Sequence, residues 1–213
     1  MSGLFVVLEG IDGSGKSTAA AEISRRVEQQ GVRVALLREP TEKTDASREI
    51  RRILRSVKEI DERISHELND LFLIDRLWDI DTQIKPALAA GAVVLLDRYY
   101  LSTAAYQAAT LEDTRRIMAD YLGDERILTP DLLLYLNLPV QTALKRLTAR
   151  RELDVFESEA KLSAIAGRYA EAIAIFRRER FKANVFEEEG ELTAADFDRL
   201  AREMLNRIQV KTA

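Results

Sequence analysis

Residues 9–18 read Glu-Gly-Ile-Asp-Gly-Ser-Gly-Lys-Ser-Thr. The run from Gly10 to Ser17 satisfies G-x-x-x-x-G-K-[ST], the pattern of a phosphate-binding loop. Glycines let the backbone curl so that several N–H groups converge on an anion, and a helix opening at Lys16 adds positive potential. Lys16 is placed to reach the β- and γ-phosphates of ATP, and the Ser17 hydroxyl to ligate Mg2+. Gly10, Ile11, Asp12, Gly13, Ser14, Gly15 and Thr18 complete the expected cradle. Asp12 is unusual there, because it adds a carboxylate to a loop that binds anions.

Three other stretches carry charge where a second anionic substrate would lie. "LLREPT" places Arg38 at the carboxyl end of an apolar run, and "VVLLDRYY" places Asp97 and Arg98 at the end of another. In an open α/β sheet the ligand crevice lies outside those carboxyl ends. Arg38 and Arg98 suit a phosphate, Arg98 as a bidentate fork, and Asp97 suits Mg2+ or its water. In "LFLIDR", Phe72 and Arg76 stand four residues apart, on one face of a helix, where a ring and a guanidinium can stack on a base and bond its edge.

The elements that must position these groups are legible as a pattern. Short apolar runs at Leu4–Leu8, Val32–Leu37, Ala92–Leu96 and Leu132–Leu138 read as strands buried on both faces, and a short last strand is expected near 184–186. Between them, helical periodicity runs over 17–30, 46–57, 65–90, 139–150 and 157–180. Alternation of strand and helix predicts an α/β fold with a parallel sheet and helices on both sides. Thr193 is an expected N-cap for a terminal helix, and the acidic run Glu187–Glu191 is expected as a solvated turn before it.

Six stretches in order, "EGIDGSGKST", "REPT", "LFLIDR", "IKPALAAGAVVLLDRYYLSTAAYQ", "PDLLLYLNLP" and "LKRLTARRELDVFE", resemble the thymidylate kinase family across nearly the whole chain. The resemblance implies a three-layer P-loop NTPase fold, with a five-stranded parallel sheet flanked by helices and a short lid at about 144–157. It implies transfer of the γ-phosphate of ATP to dTMP, with Mg2+ at Ser17 and Asp97. Phe72 would stack on thymine and Arg76 would bond its edge. Arg38 and Arg98 would hold the 5'-phosphate of the acceptor, and Asp12 would meet the 3'-hydroxyl of the sugar. Tyr106 would close against the deoxyribose, and Ser102, Thr103 and Gln107 would line the same pocket. The lid would supply a catalytic arginine, Arg150 first, with Arg146 or Arg151 in reserve. A homodimer formed through helices is part of the same implication.

The chain departs from the family pattern at Thr41-Glu42-Lys43, where relatives often carry Gly-Gly-Thr. It departs again at Asp79, Ala108 and Val155, in place of His, Gly and Arg. These changes leave two alternatives open: a kinase for another deoxynucleotide or nucleoside, and a nucleotide-binding protein without catalysis.

Composition sets the outer bounds. The 213 residues suit one domain spanning 1–213, and 46% apolar with 32% charged residues supports a real core under a solvated surface. A net charge of −4 gives no basic field for a nucleic-acid polymer. Without cysteine there is no disulfide, thiolate zinc site or thiol catalysis. No apolar run approaches the roughly 20 residues of a membrane span, so a cytoplasmic protein is expected.

Overall fold

The computed structural model describes residues 3–57, 60–149, 158–180 and 184–212. Among these residues, five strands form one sheet in the order β2-β3-β1-β4-β5. They are β1 (Leu4–Glu9), β2 (Val34–Arg38), β3 (Val93–Asp97), β4 (Leu132–Asn137) and β5 (Asn184–Glu189). Every pairing is parallel. The fold is therefore the expected α/β P-loop arrangement.

Alternate residues of β1 and β3 face opposite layers, as the two-residue period of a strand requires. Phe5, Val7, Val94 and Leu96 join an apolar cluster with α5 (Tyr100–Tyr106), α6 (Leu111–Gly123) and α8 (Glu159–Glu179). Leu4, Val6, Leu8, Val93 and Leu95 join another with α1 (Lys16–Glu28) and α9 (Ala194–Thr212). With each fully buried Leu, Ile or Val worth about 1.5–3 kcal/mol, these two layers are the main support of the sheet. A third, smaller cluster joins Ile50 and Ile53 of α2 (Asp45–Ser56) to Leu68 and Phe72 of α3 (Glu62–Asp79). It holds that helix pair at the end of β2.

The helical pattern over 65–90 does not form one regular helix. After α3 comes a π segment, Ile80–Ile84, and then α4, Lys85–Ala89. The Lys85 N–H bonds the carbonyl of Ile80, five residues back. Pro86 explains the break, since its ring and missing N–H do not suit a regular helix interior, and the wider turn accommodates it. Ile80 and Ile84 are both left buried.

The acidic run also differs from expectation. Glu187, Glu188 and Glu189 belong to β5, in register with Tyr135, Leu136 and Asn137. An edge strand tolerates charge, and here the carboxylates have partners: Arg177 donates to Glu187 at 2.8 Å and Arg199 to Glu188 at 2.7 Å. Thr193 does cap α9, accepting from the Asp196 N–H while Asp196 accepts from the Thr193 N–H. Residues 144–149 of the expected lid lie in α7 (Val140–Ala149). Arg150, Arg151 and Val155 lie outside the described residues. No described helix is long and apolar enough to cross a membrane.

Candidate active site

The strand order places the carboxyl ends of β2, β3 and β1 side by side, and the chemistry-bearing residues cluster there. The loop after β1 curls tightly enough to need glycine. Gly13 has a φ of 77°, and a Cβ there would lie 2.7 Å from the Ala143 carbonyl oxygen. Lys16, at the start of α1, folds back over this loop. Its ammonium donates to the carbonyls of Gly10 and Ile11, both at 2.9 Å, and to Ser14 Oγ at 3.4 Å. Burial, and then the charge of Arg98, bring the Lys16 pKa down to about 8.

Ser17 Oγ donates to Asp97 Oδ2 at 3.0 Å, so the loop and the end of β3 meet at two hard oxygen ligands. The other carboxylate oxygen of Asp97 is buried without a hydrogen-bond partner among the described residues. Such an oxygen is costly unless something binds it, and the donor set suits a hard divalent cation. On the far side of the loop, Arg146 of α7 donates to the Gly13 carbonyl at 3.1 Å and to Glu191 at 2.5 Å. Arg146, Ser14, Gly15 and Thr18 line one hollow with Leu192 and Phe197.

The second pocket lies between this loop, α3 and α5. Asp12, Arg38, Phe72, Arg76, Arg98, Ser102, Thr103, Tyr106 and Gln107, the acceptor-side residues that the resemblance implies, all line it. Arg98 has a left-handed backbone, φ 74°, uncommon for a residue with a side chain, and its N–H bonds the Leu8 carbonyl at 3.0 Å. Its guanidinium pairs with Asp12 Oδ1, lies 4.8 Å over the Tyr106 ring and donates to Ser102 Oγ at 3.1 Å. The Tyr106 hydroxyl donates to Asp12 Oδ2 at 2.8 Å and accepts from the Asp12 N–H at the same distance. Burial alone would raise the Asp12 pKa, but the charges of Arg98 and Lys16 prevail and hold it below the usual carboxylate range.

Arg76, although 1% exposed, is well supported. Its Nε donates to Glu39 Oε2 at 2.9 Å, its Nη2 to Thr103 Oγ1 at 3.2 Å, and its guanidinium lies between the rings of Tyr99 and Tyr121. Burial pushes the Glu39 carboxyl up while this guanidinium pulls it back. On residues that line this pocket, two buried atoms lack partners among the described residues: Nη1 of Arg76 and Oε1 of Gln107. A donor and an acceptor thus remain on two residues that line the same pocket as Phe72.

Arg38 is the exception to this density. It is exposed at the carboxyl end of β2, in register with Asp97, and has no ion-pair partner among the described residues. The loop that follows is held by Asp75, which accepts from the Thr41 N–H at 2.7 Å, from Thr41 Oγ1 at 2.6 Å and from Thr44 Oγ1 at 2.5 Å. These bonds tie the loop, Thr41-Glu42-Lys43 included, to α3.

Several supporting residues carried no usable sequence signal. Tyr99, Tyr121 and Tyr169 read as core aromatics, and Glu39 and Asp75 as neighbours of the arginines beside them. Glu9 had one, a carboxylate closing an otherwise apolar strand; it is fully buried, and burial pushes its pKa up against the bonds from Ser102 and the charge of Arg98.

Comparison with known proteins gives one consistent answer. A family model described as thymidylate kinase matches residues 8–196. A thymidylate kinase of Akkermansia muciniphila is 40% identical over 168 residues, covering 79% of this chain and 78% of that protein. One from Pseudomonas entomophila is 40% identical over 162 residues, covering 75% of each. A probable thymidylate kinase of Thermococcus kodakarensis is 41% identical over 170 residues, covering 75% of this chain and 80% of its own.

Proposed function

The chain belongs to the thymidylate kinase family, and we propose that it transfers the γ-phosphoryl group of ATP to the 5'-phosphate of dTMP, giving dTDP and ADP. An oxygen of the dTMP phosphate forms the new bond to the γ-phosphorus while the bond from that phosphorus to the β,γ-bridging oxygen breaks. ADP leaves with the electron pair. No covalent enzyme intermediate is needed, so the protein's task is alignment and charge stabilisation.

The observation that carries the acceptor assignment is the one pocket that Phe72, Arg76 and Gln107 line together with Asp12, Arg38 and Arg98. Thymine offers a 4-oxo acceptor and an N3–H donor on one edge, and a flat face for the ring. Arg38 and Arg98 hold the 5'-phosphate. Asp12 takes the 3'-hydroxyl, and Tyr106 closes against the sugar and disfavours a 2'-hydroxyl. Gly10 to Thr18 cradle the phosphates of ATP. Lys16 and Arg98 offset charge on the transferring group, joined by a lid arginine, Arg150 in the first instance and Arg146 or Arg151 otherwise.

Ser17 and Asp97 would hold Mg2+, a fit supported by the buried oxygen of Asp97 that has no partner among the described residues. The bound ion would neutralise charge on the ATP phosphates. The same reading assigns the protein to the cytoplasm as a homodimer formed through helices. Ile74 of α3 supports the dimer, being 57% exposed, with half-buried Leu71 and Trp78 on its face; sedimentation as a monomer at micromolar concentration would contradict it.

The direct test is turnover. Purified protein with ATP, Mg2+ and dTMP is expected to form dTDP and ADP in equal amounts. ATP binding with no dTDP formed would overturn the proposal.

A further inference from the structure

Four donors converge on one carboxylate at the end of β1. Glu9 Oε1 accepts from the amides of Tyr99 and Ser102, at 2.9 and 3.1 Å. Its Oε2 accepts from the hydroxyls of Ser102, at 2.5 Å, and Tyr169, at 3.0 Å. Glu9 does not line the substrate pocket. Its effect on that pocket passes through the two hydroxyls.

A hydroxyl has one proton to donate. Once Ser102 gives its proton to Glu9, only lone pairs face Arg98, whose Nη1 donates to Ser102 Oγ at 3.1 Å. Tyr169 lies 2.7 Å from Ser102 Oγ and 3.0 Å from Glu9, and its proton serves one of those two. Either choice leaves a lone pair for Arg98 Nη1, at 3.4 Å. Were these protons turned toward Arg98, O–H dipoles would oppose a buried cation.

We propose that Glu9 is a positioning residue for Arg98, fixing the polarity of the Ser102 and Tyr169 hydroxyls so that both accept from the guanidinium facing the acceptor phosphate. The inference rests on the reading of Arg98 as an acceptor-side residue. The competing role for Glu9 is structural, as a buried acceptor for two amides at the start of α5.

Glu9→Gln separates the two roles, because it keeps an acceptor for the amides but turns the other oxygen into a donor. Ser102 and Tyr169 must then accept from it; one of their protons can serve the bond between the two hydroxyls, and the other is left facing Arg98. The expected result is a folded protein whose kcat/KM for dTMP falls by about tenfold or more while the KM for ATP stays within about twofold. In a Ser102→Ala/Tyr169→Phe background no hydroxyl remains to be oriented, and Glu9→Gln should add less than about a twofold loss. An unchanged kcat/KM for dTMP in Glu9→Gln, or the same loss in both backgrounds, would overturn the proposal. Should Glu9→Gln fail to fold, Ser102→Ala and Tyr169→Phe decide the matter: dTMP-selective losses support it, and wild-type kinetics in both overturn it. The unaltered protein is assayed alongside. If it does not phosphorylate dTMP, the functional reading fails; if it does and Glu9→Gln matches it, this inference alone fails.

Discussion

Lys16 is held by its own loop, through two carbonyls and a hydroxyl, with its pKa brought down to about 8 by burial and by Arg98. Anionic phosphate beside it favours the ammonium. ATP binding is therefore expected to take up protons at pH 8–9, where free Lys16 is partly neutral. The uptake should vanish near pH 6.5, where it is already charged. Calorimetry in buffers of different ionisation enthalpy reads this directly, and proton release at pH 8.5 would contradict it. Asp12 answers to both halves of the site: its amide lies in the phosphate loop and its carboxylate holds Arg98 and Tyr106. Asp12→Ala should lower kcat/KM for dTMP by at least about tenfold, or about 1.4 kcal/mol, with ATP affinity within about twofold; equal losses on both substrates would place Asp12 with the donor instead. At this scale the sequence was informative wherever a motif supplied spacing. Asp12, Lys16, Ser17, Arg76 and Arg98 were legible for that reason. Tyr169 was not, because a tyrosine at helical spacing looks the same whether it fills a core or feeds an arginine.

β1, β3 and β4 were legible as apolar runs because strands covered on both faces leave no room for polar alternation, whereas β2, expected to be buried likewise, lies at the sheet edge with Leu36 50% exposed. β5, expected over 184–186, runs on to Glu189 through the acidic stretch. At the sheet edge its carboxylates find arginines on α8 and α9, contacts that a local reading cannot anticipate. The π segment was hidden too, since Pro86 announces a break without saying which kind. α2 depends on a single side chain at its start. Thr44 Oγ1 accepts from the Ser47 N–H at 2.9 Å and donates to Asp75 at 2.5 Å, capping the helix and tying it to α3. Thr44→Ala should lower stability by about 1–2 kcal/mol, the usual cost of a lost N-cap, and raise the KM for dTMP while leaving that for ATP unchanged. Denaturant unfolding with paired kinetics checks both parts, and a rise confined to ATP would contradict this placement of the loop.

At the scale of the whole molecule, the order β2-β3-β1-β4-β5 explains why residues distant in sequence share one pocket. The phosphate loop leaves β1, Arg98 leaves β3 beside it, and Arg38 closes β2 next along, so the two proposed phosphate sites share one sheet end. Sequence alone gave the members of this constellation through a family resemblance; their convergence follows only from the strand order. The central claim is that this pocket reads thymine through Phe72, Arg76 and Gln107. The measurement that tests it most directly is kcat/KM for dTMP against dCMP and dGMP with saturating ATP. The account predicts preference for dTMP by at least about a hundredfold over dCMP, whose 4-amino group meets the Arg76 donor with another donor. Equal use of dCMP, or preference for dGMP, would contradict it.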